Sequence, residues 1–214
     1  SLRTRSSTID PDTFLKDVLG VDKETGKPYG GGRLDKGGFQ IPLNIFAECG
    51  DQALLWQLVS TTIKTKFMKK LGDLLIKSDP FEEILMGNEA VVRAMVESGT
   101  RVVTSYPGSP TPEIAAAVNS IPEDKQPFYF EFSTNEKVAS EVAFGAAVNG
   151  NLSCVFFKSV GLNVALDSFV QFSLMNIPGG MVVIVGDDPG ANSSQNEQDN
   201  RNVYKMSRVM VFEP

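Results

Sequence analysis

From Met86 onward the sequence alternates short, unbroken apolar runs with stretches that carry helical periodicity. The runs are "TRVVTSY", "PFYFEF", "LSCVFFKS", "GGMVVIVGD" and "RVMVFEP". A helix, "GNEAVVRAMVESG", precedes the first, and "TPEIAAAVNSI", "NEKVASEVAFGAAVNG" and "LNVALDSFVQFSLMN" separate the next three. Runs that are apolar throughout, rather than at every second residue, suit strands buried on both faces of a parallel sheet. Strands in strict alternation with helices predict a doubly wound α/β sheet with helices on both faces over residues 86–214.

In such sheets ligands settle outside the carboxyl ends of the strands. Polar segments stand where those ends are expected: "YPGSP" after the first strand, "STNE" after the second, "KSVGLN" after the third and "DDPGANSSQNEQD" after the fourth. None is a dinucleotide fingerprint, because no G-x-G-x-x-G follows a strand. The polar edge therefore reads as a binding site of another kind.

Residues 1–85 read differently. Residues 1–40 are dense in Gly, Lys and Asp without periodicity, which predicts loop. The approach from Gly20 to Gly26-Lys27 has one residue too many for a phosphate-binding loop, and Pro28 stands where Ser or Thr would bind magnesium. Residues 50–77 predict a helix whose Leu54/Leu58/Phe67/Leu71 stripe is buried against protein rather than lipid. The expected organisation is an N-terminal extension at 1–85, loop then amphipathic helix, and one α/β domain at 86–214.

Composition narrows the chemistry. The chain has no histidine, which excludes a Ser-His-Asp triad and histidine-ligated metal. Cys49 and Cys154 are the two cysteines, too few to hold an iron–sulfur cluster alone. Cys154, inside "LSCVFF", reads as a reduced core residue. The net charge is −6, and residues 86–214 carry the whole excess with 8 basic against 14 acidic side chains. That argues against a nucleic-acid groove. No apolar run has the length of a membrane span and no secretory signal leads the sequence, so a cytoplasmic protein is expected.

Four segments carry a family resemblance: "MGNEAVVRAMVESGTRVVTSYPGSPTPEI", "FSTNEKVASEVAFGAAVNG", "VGLNVALD" and "DDPGANSSQNEQDNR". In that order they closely resemble the α-subunit of indolepyruvate:ferredoxin oxidoreductase, one of the thiamine diphosphate-dependent 2-oxoacid:ferredoxin oxidoreductases. The resemblance covers residues 86–214 and leaves 1–85 unmatched. It implies the pyrimidine-binding domain of a thiamine diphosphate-binding fold. It further implies oxidative decarboxylation of an aryl 2-oxoacid to an acyl-coenzyme A, with electrons passed to ferredoxin.

By motif position the glutamate that bonds the coenzyme's pyrimidine ring is Glu136. Gly108, Ser109, Ser159, Gly161 and Asn163 are implied as further coenzyme contacts, and Ser109, Asn192 and Arg201 as substrate contacts. The family's pyruvate enzymes place a carboxylate-binding arginine near the start of the last loop, where this chain has "GDD"; Arg201 is the arginine that loop does contain. No metal ligand is assigned. The G-D-G-type motif that holds magnesium and diphosphate is absent from the sequence, so the resemblance implies a diphosphate-binding domain or subunit elsewhere. It also implies an iron–sulfur subunit or domain, coenzyme A and ferredoxin in the complete complex, a homo- or hetero-oligomer, and no activity from this chain alone.

Two other readings stay open. Ser133-Thr134-Asn135-Glu136 fits a capping box, with Ser133 as the N-cap and Glu136 at the third helical position. Thr111-Pro112-Glu113 fits a helix start with a capping hydroxyl. The competing function is a non-catalytic assembly or regulatory subunit that keeps the fold.

Overall fold

The computed structural model describes residues 2–3, 10–23, 25–33, 36–39, 51–80, 82–188, 190 and 198–213. The chain divides into two compact units, Ser1–Met86 and Gly87–Pro214.

In the first unit, β1 (Leu2–Arg3), β2 (Gly30–Arg33) and β3 (Lys36–Phe39) form an antiparallel sheet in the order β1-β3-β2. Helix α1 (Pro11–Leu19) starts at Asp10, whose carboxylate accepts from the Asp12 and Thr13 amides. The expectation of loop over 1–40 is thus corrected. The glycines lack strand propensity, but a backbone ladder needs none: Gly30 to Arg33 pair residue by residue with Phe39 to Lys36. Asp12 Oδ1 then accepts from Gly32 N at 2.9 Å, and a Cβ on Gly31 would stand 2.9 Å from the same oxygen. Glycine lets α1 lie against β2.

Helix α2 (Gln52–Leu75) begins at Asp51, whose side chain accepts from Leu54 N. It is helical as expected, and Phe67 packs on Phe14 of α1 with ring centroids 5.4 Å apart. The expected stripe fails at its first half: Leu54 and Leu58 are 50% and 59% exposed, and Trp56 is 68% exposed. From Leu58 to Phe67 a helix turns through roughly two and a half turns at 3.6 residues per turn. The two halves of the stripe therefore face opposite ways. Among the described residues no helix is long and apolar enough to cross a membrane.

The second unit is the predicted α/β sheet. Its strands are β4 (Val102–Ser105), β5 (Tyr129–Phe132), β6 (Leu152–Lys158) and β7 (Gly180–Gly186), all parallel, in the order β5-β4-β6-β7. The helices are α3 (Gly87–Glu97), α4 (Pro112–Val118), α5 (Glu136–Val148), α6 (Leu162–Phe172) and α7 (Arg201–Ser207). Ala139, Ala143, Leu162, Ala165 and Phe169 of α5 and α6 close over Val155 and Phe157 of β6. The side chains that alternate to the other face, Cys154 and Phe156, are buried too. Right-handed crossovers put α4 on that face, because the chain leaves β4 in one direction and β6 in the other.

Burial on both faces holds for β4 and β6, which are interior. The edge strand β5 leaves Tyr129 and Phe132 exposed, and β7 is half-buried. The expected fifth strand, "RVMVFEP", does not form over its described residues. Helix α7 ends on Arg208 in the left-handed conformation (φ 56°). Val209 packs onto the core, whereas Met210 and Phe212 are exposed and unpaired with any strand.

Candidate functional site

Because β4 connects outward to β5 and β6 connects the other way to β7, the strand order reverses between β4 and β6. A doubly wound sheet opens a crevice at the carboxyl ends of two such strands. Ser105 is the last residue of β4 and Lys158 the last of β6. The turn after β4 crosses onto β6: a Cβ on Gly108 would stand 2.9 Å from the Cβ of Lys158. Thr111 closes that turn, its Oγ1 donating to the Gly108 carbonyl at 2.8 Å. The hydroxyl therefore does not cap α4, contrary to the expected helix start. Asn88 Nδ2 donates to the Pro110 carbonyl at 2.9 Å, and Gly186 at the end of β7 makes room for Thr111 Cγ2. Ser109 stands exposed at the tip, joined to Pro110 by a cis peptide bond.

Glu136 enters from the second turn, and its setting differs from the capping box. The N-cap is Asn135, in extended conformation, with Oδ1 accepting from Val138 N at 2.9 Å. Ser133 is still on the ladder, its amide bonded to the Ser105 carbonyl at 2.9 Å, and its hydroxyl donates to Glu131. Glu136 is thus the first helical residue, where a side chain cannot reach back to the cap. Its carboxylate makes no hydrogen bond or ion pair among the described residues. It lies half-buried against the turn after β6, with Oε1, Cγ and Cδ where a side chain on Gly161 would begin. These contacts bring Ser105, Gly108, Lys158, Gly161 and Glu136 to the carboxyl ends of β4 and β6.

Ser159 and Asn163 occupy a separate polar chain. Ser159 Oγ donates to Asp187 Oδ1 at 2.9 Å, and the Ser159 carbonyl accepts from Asn200 Nδ2 at 3.0 Å. Asn200 Oδ1 accepts from Gln198 Nε2 at 2.7 Å, and Gln198 exchanges two hydrogen bonds with Asn163 at 2.7 and 2.9 Å. This network ties the ends of β6 and β7 to the start of α7. Asn192 lies outside the described residues. Arg201 is exposed and engaged by two acids, through Nε and Nη2 with Glu213 at 2.9 and 3.2 Å and through Nη1 with Asp199 at 3.4 Å. The Arg201 amide and guanidinium hold the Asp199 carboxyl below its ordinary value.

Two residues were assigned no role by sequence reasoning. Lys158 is only 6% exposed although charged. Its signal was available: a cation closing an otherwise apolar run at the carboxyl end of a strand. Ser105 Oγ is, among the described residues, a buried side-chain oxygen with no hydrogen-bond partner. Nothing in "TSY" distinguishes it, because the pleat decides which hydroxyl meets a partner. Thr104, one position earlier, donates to the Ala139 carbonyl at 2.7 Å. The carboxyl ends of β4 and β6 thus present a half-buried Glu136 carboxylate with no polar partner among the described residues.

Comparison with known proteins places these elements among relatives. Subunit IorA of indolepyruvate oxidoreductase from Methanothermobacter thermautotrophicus is 47% identical over 145 residues, 68% of this chain and 23% of the relative. The same subunit from Pyrococcus horikoshii is 44% identical over 148 residues, 69% of this chain and 23% of the relative. That from Archaeoglobus fulgidus is 42% identical over 147 residues, 67% of this chain and 24% of the relative. The chain spans about a quarter of the length of these relatives. A solved 2-oxoglutarate:ferredoxin oxidoreductase from Magnetococcus marinus aligns at TM-score 0.43 and 21% identity, over 69% of this chain and 27% of that one. No family model matches the chain.

Proposed function

Because this chain belongs, over the two thirds of it that align, to the family of indolepyruvate oxidoreductase subunit IorA, we propose that it supplies the pyrimidine half of a thiamine diphosphate site. The enzyme is a cytoplasmic 2-oxoacid:ferredoxin oxidoreductase acting on aryl pyruvates. The observation that carries this reading is the state of Glu136: freed of capping by Asn135, without a polar partner, and turned onto the crevice at the switch point.

The residues present fit that half of the coenzyme. A pyrimidine ring needs a carboxyl group that shares a proton with a ring nitrogen, and Glu136 offers one, half-buried and without a polar partner among the described residues. When bound, thiamine diphosphate would supply nucleophilic carbon chemistry toward the 2-oxoacid carbonyl. Glu136 holds or releases the proton at its carboxylate. Gly108 and Gly161 narrow the crevice walls, and Ser109 offers a hydroxyl to substrate or coenzyme from the rim. Ser159 and Asn163 are the further proposed coenzyme contacts, and their hydrogen bonds to Asp187 and Gln198 fasten the ends of β6 and β7. Arg201, and Asn192 in the same polar loop, are the proposed substrate contacts; for Arg201 this requires exchange of Glu213 for the substrate carboxylate. Magnesium and the diphosphate are assigned to another domain or chain, as are the iron–sulfur clusters and coenzyme A. Partners are a diphosphate-binding subunit or domain, an iron–sulfur subunit or domain and ferredoxin, in an oligomer.

The test is Glu136→Gln in the assembled complex. Glutamine keeps the size of the side chain, so folding and assembly stay normal. The amide cannot share the proton as a carboxyl does, and general acid–base groups contribute roughly a hundred- to ten-thousand-fold. The expected result is a loss of that size in 2-oxoacid-dependent electron transfer at saturating thiamine diphosphate. Near-normal turnover would make a non-catalytic assembly or regulatory subunit the better account.

A further inference from the structure

Gly161 begins α6 with φ −65° and ψ −21°, a conformation any residue adopts. Backbone freedom therefore does not explain a glycine here. Space does. An ideal Cβ at this position would stand 2.5 Å from Glu136 Oε1, 2.7 Å from Cγ and 2.9 Å from Cδ, where real Cβ atoms essentially never come within 3.0 Å. One of those three atoms, Cγ, belongs to the stem of the side chain, and the carboxyl carbon Cδ is bonded directly to it. Swinging the carboxylate tip alone would not clear Cγ, so the side chain as a whole would have to shift.

The polar surroundings do not hold Glu136 where it is. Its carboxylate has no hydrogen bond or ion pair among the described residues, whereas Lys137 beside it is fixed by Asp167 at 2.9 Å. What defines the place of the carboxylate is shape: the first turn of α5 behind it and the bare backbone of residue 161 in front. We propose that Gly161 is the positioning residue of Glu136, and that its missing side chain is the seat in which the carboxylate lies. The inference rests on the reading of Glu136 as the group that meets the coenzyme. It goes further by assigning what aims it.

Ordinary van der Waals contact for a Cβ starts at 3.4 Å, so an alanine at 161 displaces Oε1 by about 1 Å. A displacement of that size suffices to cost roughly a hundredfold when a proton must pass between positioned groups. Glycine at 161 and glutamate at 136 are, on this view, one unit contributed by two different strand–helix turns.

The experiment compares Gly161→Ala, Glu136→Ala and the double variant in the full-length protein assembled with its partners. Thiamine diphosphate is titrated calorimetrically, and steady-state kinetics are measured alongside. With Glu136 present, Gly161→Ala weakens coenzyme binding at least tenfold and lowers kcat about a hundredfold, while KM for the 2-oxoacid stays within about threefold. In the Glu136→Ala background the same alanine changes coenzyme affinity less than about twofold, because nothing is left to displace. If Gly161→Ala is too unstable to assemble, the double variant regains assembly. An equal penalty in both backgrounds, or a double variant that also fails to fold, would show that Gly161 serves α6 and not Glu136. Full activity and affinity in Gly161→Ala would overturn the proposal equally. If Glu136→Ala itself binds and turns over normally, it is the coenzyme reading that fails, and the positioning role falls with it.

Discussion

Helix α2 and strand β6 are both written in leucine, valine and phenylalanine, yet they finish in opposite surroundings. Of the 24 residues of α2 only Leu55, Gly72 and Leu75 are buried; of the seven in β6 all but Leu152 are. The difference lies in what each element can present. A helix turns about 100° per residue, so Leu54 and Trp56 point nearly opposite ways and no single contact covers both. A strand has two faces only, and β6 has neighbours on both edges and side chains packed over both faces. Apolar content states how much surface could be buried. Periodicity decides whether one neighbour can bury it.

That contrast breaks most visibly at Phe157. Truncating this fully buried ring to alanine should destabilise the protein by about 3–5 kcal/mol, whereas Leu58→Ala on α2 should stay within about 0.5 kcal/mol in the isolated chain. Chemical denaturation of the two variants checks this. A similar cost at both sites would mean that α2 is covered in solution.

The next effect tests how dry β6 is. Burial pushes the Cys154 thiol up to about 12 from 9.0. A raised thiol pKa keeps the proton on the folded chain where the unfolded chain has lost it. Its contribution is therefore complete below pH 9, and stability is lost as pH rises from about 9 toward 12. The slope from one such group is about 1.4 kcal/mol per pH unit. Alkaline unfolding of Cys154→Ala should show a correspondingly flatter decline. Identical alkaline slopes would mean that water reaches the strand.

The smallest effect separates two neighbours at the start of α5. Asn135→Ala removes the cap and should cost about 1 kcal/mol, while Ser133→Ala, whose part-buried hydroxyl meets only Glu131, should cost less than about 0.5 kcal/mol. The reverse order in thermal denaturation would restore the capping box and put Glu136 back in it.

How legible was the site? The alternation after Met86 was enough to place four parallel strands, the helices between them and the polar turns at one edge. Each of those rests on local periodicity and on the chirality of crossovers, which act over a dozen residues. The fifth strand failed because "RVMVFEP" has strand propensity, but a strand exists only where a neighbour pairs with it. The hairpin at Gly30 to Phe39 failed in the opposite sense: no propensity, but a partner within reach. Residues around the crevice were found unevenly for the same reason. Glu136, Gly108 and Gly161 were marked by their motifs, but that Gly161 meets Glu136 across 25 positions of sequence is visible only in space. That Ser159 meets Asp187 and Asn163 meets Gln198 is likewise visible only in space.

The sequence alone determined the fold class and the edge of the sheet that carries polar groups, because each depends on periodicity along the chain. Tertiary structure decided which serine caps nothing, which lysine is buried, which asparagine starts α5 and which glycine makes room for the carboxylate. Those outcomes depend on contacts between turns that follow different strands. No pattern along one segment encodes the distance to another.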